Sequence, residues 1–146
     1  MMQRLLRPLL LALLALTIPA FVSAAAAAPA SVKVRLTNKG GKDRILMSTR
    51  QVKAGPVEFH IKNISKTEMH EFLVTRWTKP ITALPYNKKK AQVMETDLPH
   101  LAGVEGMKPG AVAILRLPLK PGCYVVFCDQ PGHYKDGMEA RFVVKG

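Results

Sequence analysis

Three side chains near the carboxy terminus have the types and the spacing to hold a soft metal ion. Cys128, His133 and Met138 stand five and five residues apart in Cys128-Asp129-Gln130-Pro131-Gly132-His133-Tyr134-Lys135-Asp136-Gly137-Met138. Pro131-Gly132 and Gly137 precede the second and third of them and are backbone-turning residues. A chain leaving a strand at Cys128 can therefore fold back so that thiol, imidazole and thioether converge. A thiolate and two imidazoles in a plane, with a weak axial thioether, suit copper in both oxidation states. The second imidazole must come from His60, His70 or His100. His60 alternates with Val57, Phe59 and Ile61 and so faces solvent, and His100 lies in an irregular stretch. His70 follows a polar turn and opens Phe72-Leu73-Val74, which places it at one end of a strand. The expected metal set is His70, Cys128, His133 and Met138, holding one copper ion.

Other chemistries fit these residues less well. Zinc seldom takes Met and would favour more thiolates or a carboxylate. A nucleophilic Cys–His pair lacks an evident Asn or Asp to orient His133 and leaves Met138 without a role. An enzyme with further copper centres would need more ligands than His60 and His100 supply. Cys123 cannot bond to Cys128 within one strand, because five extended residues separate their Cα atoms by roughly 16 Å and a disulfide needs under about 7 Å. Cys123 is expected to be a small, at least half-buried side chain. Met69 is expected to line the metal pocket, with Met94 and Met107 in core or loop packing. Asn63-Ile64-Ser65 fits a glycosylation sequon.

Strands must position these groups, since periodicity along the chain is almost wholly two-residue. Ser31 to Thr37 alternates, as do Val57 to Lys62 and Ala111 to Leu119, and Arg44 to Ser48 is a short apolar run. Tyr124 to Cys128 enters the ligand loop, and Met138, Ala140, Phe142 and Val144 share one face of the last strand. Short strands at this spacing predict an all-β antiparallel sandwich. Thr78 to Gly110 is the exception: it holds Pro80, Pro85, Pro99 and Pro109, the run Lys88-Lys89-Lys90, and no long alternation. Its length suggests a functional loop, with a turn or two of helix over Tyr86 to Glu95.

The 146 residues favour one domain, and 48% apolar content excludes a wholly disordered chain. Residues 1–24 have the layout of a signal peptide. Arg4 and Arg7 lead, Leu9 to Ile18 is apolar, and several small-residue cleavage bonds lie between 24 and 30. That apolar run is shorter than the roughly 20 residues that span a bilayer. Residues 31–146 then form the exported, periplasmic domain. Without Arg4 and Arg7, 20 basic residues face 10 acidic ones, a formal charge of +10. Such a surface would attract anionic partners. Export argues against nucleic acid, and peripheral contact with an anionic membrane surface is one expectation.

Pro121-Gly122-Cys123-Tyr124-Val125-Val126-Phe127-Cys128, running into Pro131-Gly132-His133 and Gly137-Met138, resembles the cupredoxins, the small type 1 blue copper proteins. The loop spacing is most like the rusticyanin and sulfocyanin branch. Gly55-Pro56-Val57-Glu58-Phe59 through Asn63 to His70-Glu71-Phe72-Leu73-Val74 is similar to the family's first-histidine region. The resemblance implies a Greek-key β-sandwich and copper ligated at His70, Cys128, His133 and Met138. It implies a one-electron carrier, not an enzyme, that binds no small-molecule substrate. Its partner would be another redox protein, such as a cytochrome or terminal oxidase. In several members an Asn after the first His ties the two ligand loops together; Glu71 stands there in this chain. The second reading is a copper-trafficking or copper-resistance protein that binds the metal and delivers it, to which the extra methionines and Glu71 would be suited.

Overall fold

The computed structural model describes residues 28–146, so the expected leader over 1–24 lies outside the described residues. Eleven strands follow in order: β1 Ala30–Lys39, β2 Lys42–Met47, β3 Gln51–Lys53, β4 Gly55–Asn63, β5 His70–Arg76 and β6 Tyr86–Asn87. After them come β7 Gln92–Val93, β8 Ala102–Met107, β9 Val112–Leu119, β10 Gly122–Phe127 and β11 Glu139–Lys145. Single 3-10 turns occur at Ile81–Ala83 and Glu95–Asp97. Among the described residues no helix is long and apolar enough to cross a membrane.

The expected sandwich is present. One sheet has the order β2-β1-β4-β9, the other β3-β11-β10-β5-β8. Two-residue alternation decides what lies between them: Val32, Val34 and Leu36 of β1 and Val57, Phe59 and Ile61 of β4 point inward. They meet Phe72, Val74, Val126, Phe142 and Val144 of the second sheet in one apolar cluster. Phe59 anchors it, with ring centroids 5.2 Å from Phe72 and 5.3 Å from Phe142.

Three expectations are corrected. The sheets are mixed, not wholly antiparallel: β1 runs parallel to β4 and β11 parallel to β3. Alternation reports which side of a strand meets the core, and carries nothing about strand direction. The stretch Tyr86 to Glu95 is not helical but a small hairpin, β6–β7. Within the stretch read as irregular, Ala102–Met107 is also a strand, pairing with β5. Its pattern is hidden by Gly103, which lies opposite Leu73. A Cβ there would stand 2.5 Å from the Phe72 carbonyl oxygen and 2.9 Å from the Leu73 Cα, so only glycine lets the two strands approach.

The segment from Trp77 to Leu101 covers the outer face of the second sheet. Leu84, Val93, Leu98 and Tyr134 pack there on Leu73, Val125 and Phe127. The second sheet is thus buried on both faces, which is why β5 and β10 read as continuous apolar runs instead of alternating ones.

Candidate metal centre

Two ends of the sandwich chain segments meet at the site. His70 is the first residue of β5, where a bulge interrupts the pairing with β8 and His70 lies opposite Met107. The turn before it is pinned by Asn63, wholly buried at the end of β4. Its Nδ2 donates to the carbonyls of Glu68 and Met107, both at 2.8 Å, and its Oδ1 accepts from the Ser65 N–H at 2.9 Å. Both amide hydrogens are therefore used inside the protein, and the sequon at Asn63 is closed to glycosylation in the folded state.

Cys128 directly follows β10, and Met138 directly precedes β11. The loop between them closes on itself: the Cys128 N–H donates to the Met138 carbonyl at 3.1 Å, and the Met138 N–H to the His133 carbonyl at 2.9 Å. Gly132 and Gly137 adopt φ of +90° and +96°, the region that favours glycine, where the chain reverses ahead of His133 and Met138. Met138 itself is fully buried in the main core.

The structure brings His70, Cys128 and His133 together, one donor atom from each lying within 4.8 Å of the others. The Nδ1 atoms of the two imidazoles face one another at 3.3 Å, and Cys128 Sγ is 3.6 Å from His133 Nδ1. An ion about 2.0–2.1 Å from each nitrogen and about 2.3 Å from sulfur would set edges of roughly those lengths. The donor set fits one soft cation. His60 and His100 are not part of it: His60 sits on the solvent face, its Nε2 3.2 Å from a Glu58 carboxylate oxygen, and His100 is exposed.

Burial makes the site inhospitable to charge in the absence of a cation. It pushes the Cys128 thiol up to about 12, against the opposing pull of the Gln130 and Glu71 backbone N–H groups. It also holds His70 below the ordinary imidazole value, with His133 adding to the effect and Asp43 and Glu68 opposing it. A cation would supply the charge that lets the sulfur bind as thiolate.

The surroundings answer the question raised by Glu71. Its Oε1 accepts from Gln130 Nε2 at 2.5 Å, and its N–H donates to Cys128 Sγ at 3.2 Å. This glutamate thus joins the segments that carry His70 and Cys128. The β6–β7 hairpin braces the loop from outside. Asp129 Oδ1 accepts from the Val93 N–H at 2.5 Å, Gln92 Nε2 donates to the Asp129 carbonyl at 2.9 Å, and the Gly132 N–H to the Ala91 carbonyl at 2.7 Å. Tyr134 adds a fourth anchor, its hydroxyl donating to the Ile81 carbonyl at 2.8 Å and accepting from the Leu84 N–H at 3.0 Å. Burial pushes the Asp129 carboxyl up to about 7, opposed chiefly by the Val93 bond.

Some expectations change here. Met69 is 42% exposed instead of lining a closed pocket, and Met94 is exposed, whereas Met107 is core. Cys123 and Cys128 are both free, Cys123 half-buried. An acid does stand beside His133, contrary to the sequence reading: Asp43 Oδ2 lies 3.8 Å from its Nε2. The signal was available, since Asp43 shares the inward parity of Ile45 on β2.

No family model matches the sequence, and no curated protein does. Solved structures do match. Dithionite-reduced auracyanin from Roseiflexus castenholzii superposes with a TM-score of 0.60 at 18% identity, over 82% of this chain and 100% of that one. Rusticyanin from Thiobacillus ferrooxidans gives 0.60 at 18%, over 81% and 79%. Auracyanin B gives 0.57 at 21%, over 82% and 92%. Both are cupredoxins, and at this level of identity they establish the shared architecture. The chain has the cupredoxin fold, and its His70–Cys128–His133 group is consistent with a type 1 copper site.

Proposed function

We propose that this is an exported, mononuclear copper protein that carries one electron at a time between other redox proteins. The observation that carries the reading is the meeting of two imidazole nitrogens and one thiol sulfur, within 4.8 Å, inside an apolar frame. Copper bound there would supply a centre that passes between its cupric and cuprous states, taking up one electron and giving one up. His70, Cys128 and His133 would hold it, and the Met138 thioether would add a further, weaker soft donor. The residues' own part is to stay still. The Glu71–Gln130 tie, the Asn63 bonds and the bonds from the β6–β7 hairpin fix the ligand segments, so little rearrangement accompanies a change of charge. Rusticyanin, which shares this fold, is a copper protein. The pattern of residues 1–24 supports export. The exposed Lys88–Lys90 turn belongs to the hairpin that braces the ligand loop, and we put it forward as the region that meets a redox partner.

The test is an optical spectrum of copper-loaded protein. An intense thiolate-to-copper(II) band is expected, absent from Cys128→Ser, together with reversible oxidation and reduction while copper is retained. A colourless protein holding zinc tightly would refute the copper assignment. Ready transfer of copper(I) to an acceptor, without reversible cycling, would favour delivery, a reading to which the exposed Met69 beside His70 lends support.

A further inference from the structure

Asp43 breaks the pattern of its own strand. On β2 the inward positions carry Ile45 and, nearer the edge, Met47, while Lys42, Arg44 and Leu46 face out. Asp43 takes an inward position and is only 8% exposed. A carboxylate taken out of water without partners costs several kcal/mol in proteins. Yet among the described residues Asp43 Oδ1 has no hydrogen-bond partner. Its other oxygen lies 3.8 Å from His133 Nε2. The placement is not loose. β1 and β2 are joined by the two-residue turn Gly40-Gly41, with φ of +65° and +69°, which fixes Asn38 opposite Asp43. The hairpin presents this carboxyl group to the back of the ring whose front faces the thiol.

The two imidazoles complete the picture. With Nδ1 facing Nδ1 at 3.3 Å, one ring must donate and the other accept. A carboxylate behind His133 Nε2 selects the tautomer with its proton there and leaves the His133 Nδ1 lone pair pointing into the site. That is the form a metal ligand needs, and a buried carboxylate is a common outer partner of such a histidine. The 3.8 Å separation is longer than a hydrogen bond. Closing it takes about 1 Å, and among the described residues no hydrogen bond holds the carboxyl group back.

We propose that Asp43 is a positioning residue for the metal centre, holding His133 with Nδ1 inward and Nε2–H outward and favouring the more highly charged, cupric state. The inference rests on the copper reading above.

The experiment compares copper-loaded wild type with Asp43→Asn, which keeps the shape and removes the charge, and with Asp43→Leu. Three quantities are read: the thiolate-to-copper band, the reduction potential, and the exchange rate of the His133 Nε2 proton in the cuprous protein by NMR. A unit charge removed within several Å of the metal, in a partly buried setting, changes the ratio of copper(II) to copper(I) affinity by roughly tenfold. For a one-electron couple that is a rise of ~59 mV. Both variants should raise the potential, speed Nε2 proton exchange, and leave the apo protein as stable as wild type or more so, because an unpaired buried carboxyl group has gone. A band retained in Asp43→Asn with unchanged affinity ratio and unchanged proton exchange would overturn the proposal alone. A wild type without the band would overturn the copper reading and this inference together. Apo variants that are clearly less stable, with no rise in potential, would make Asp43 a structural residue and also overturn it.

Discussion

Replacing Asn63 with Ala should damage the metal centre from a residue that touches no metal donor. The side chain satisfies three backbone groups at once: the carbonyls of Glu68 and Met107 and the N–H of Ser65. The Met107 bond is wholly buried, and so is the Ser65 bond, whereas Glu68 is half-exposed and regains some hydration. A buried group left without a partner costs about 1–3 kcal/mol, so the substitution should cost about 3–4 kcal/mol in all. That is a large part of the ~5–15 kcal/mol of a typical domain. The consequence is local as well as global, because Glu68 lies two residues before His70 and Met107 lies opposite it in the sheet. The assay is urea unfolding of apo protein, followed by the rate at which a chelator removes copper(II). Asn63→Ala should lower the midpoint at nearly unchanged slope and release copper faster. Asn63→Asp is the sharper comparison. It keeps the volume and the acceptor for Ser65, but turns a carboxylate oxygen toward two carbonyls, and should be at least as damaging as Ala. A loss below ~1 kcal/mol for Ala, or an Asp variant close to wild type, would show that the side chain only fills space.

Two further outcomes follow from the same structure. Gly103→Ala should cost about 2–3 kcal/mol, measured by the same unfolding assay, since its Cβ meets backbone atoms of Phe72 and Leu73 that cannot rotate away; an Ala variant of wild-type stability would mean that β8 does not lie where it is described. Replacing Lys88, Lys89 and Lys90 by Gln should slow association with an anionic redox partner several-fold at low ionic strength, with the difference fading as salt shortens the screening length from about 10 Å at 0.1 M to about 3 Å at 1 M. If the triple variant and wild type associate at equal rates in low salt, this turn does not steer the encounter.

The ligand segments were legible in the sequence because local chemistry dictates them. Gly132 and Gly137 are needed where φ is positive, and Cys128 and Met138 abut regular strands, so the spacing of Cys128, His133 and Met138 is also the spacing of turns. The Phe72-Leu73-Val74 run told that His70 opens a strand, and the alternation of Val57, Phe59 and Ile61 correctly sent His60 to solvent. What stayed hidden depends on distant partners. The β6–β7 hairpin has only two residues in each strand, and its bonds reach Asp129 and Gly132, 36 or more residues away in the chain. No window of local sequence contains both sides of those bonds. Its proline-rich flanks therefore looked like loop, and Tyr86 to Glu95 looked like a short helix.

Asp43 is a different kind of miss, and the more instructive one. Its parity placed it inside, and a polar residue at an inward strand position is a local conflict with the global fold. Asn63 and Thr75 are also buried polar residues on these strands, but each has bonds that account for it: three for Asn63 and the Pro99 carbonyl for Thr75. Among the described residues Asp43 has no such bond, and its nearest charged neighbour is the rear of a metal-site histidine. A fold optimised only for stability would carry an aliphatic residue there, as it does two positions on at Ile45. The cost of retaining a carboxylate is borne at the site, and what it can offset there is the positive charge of a cation held at His133.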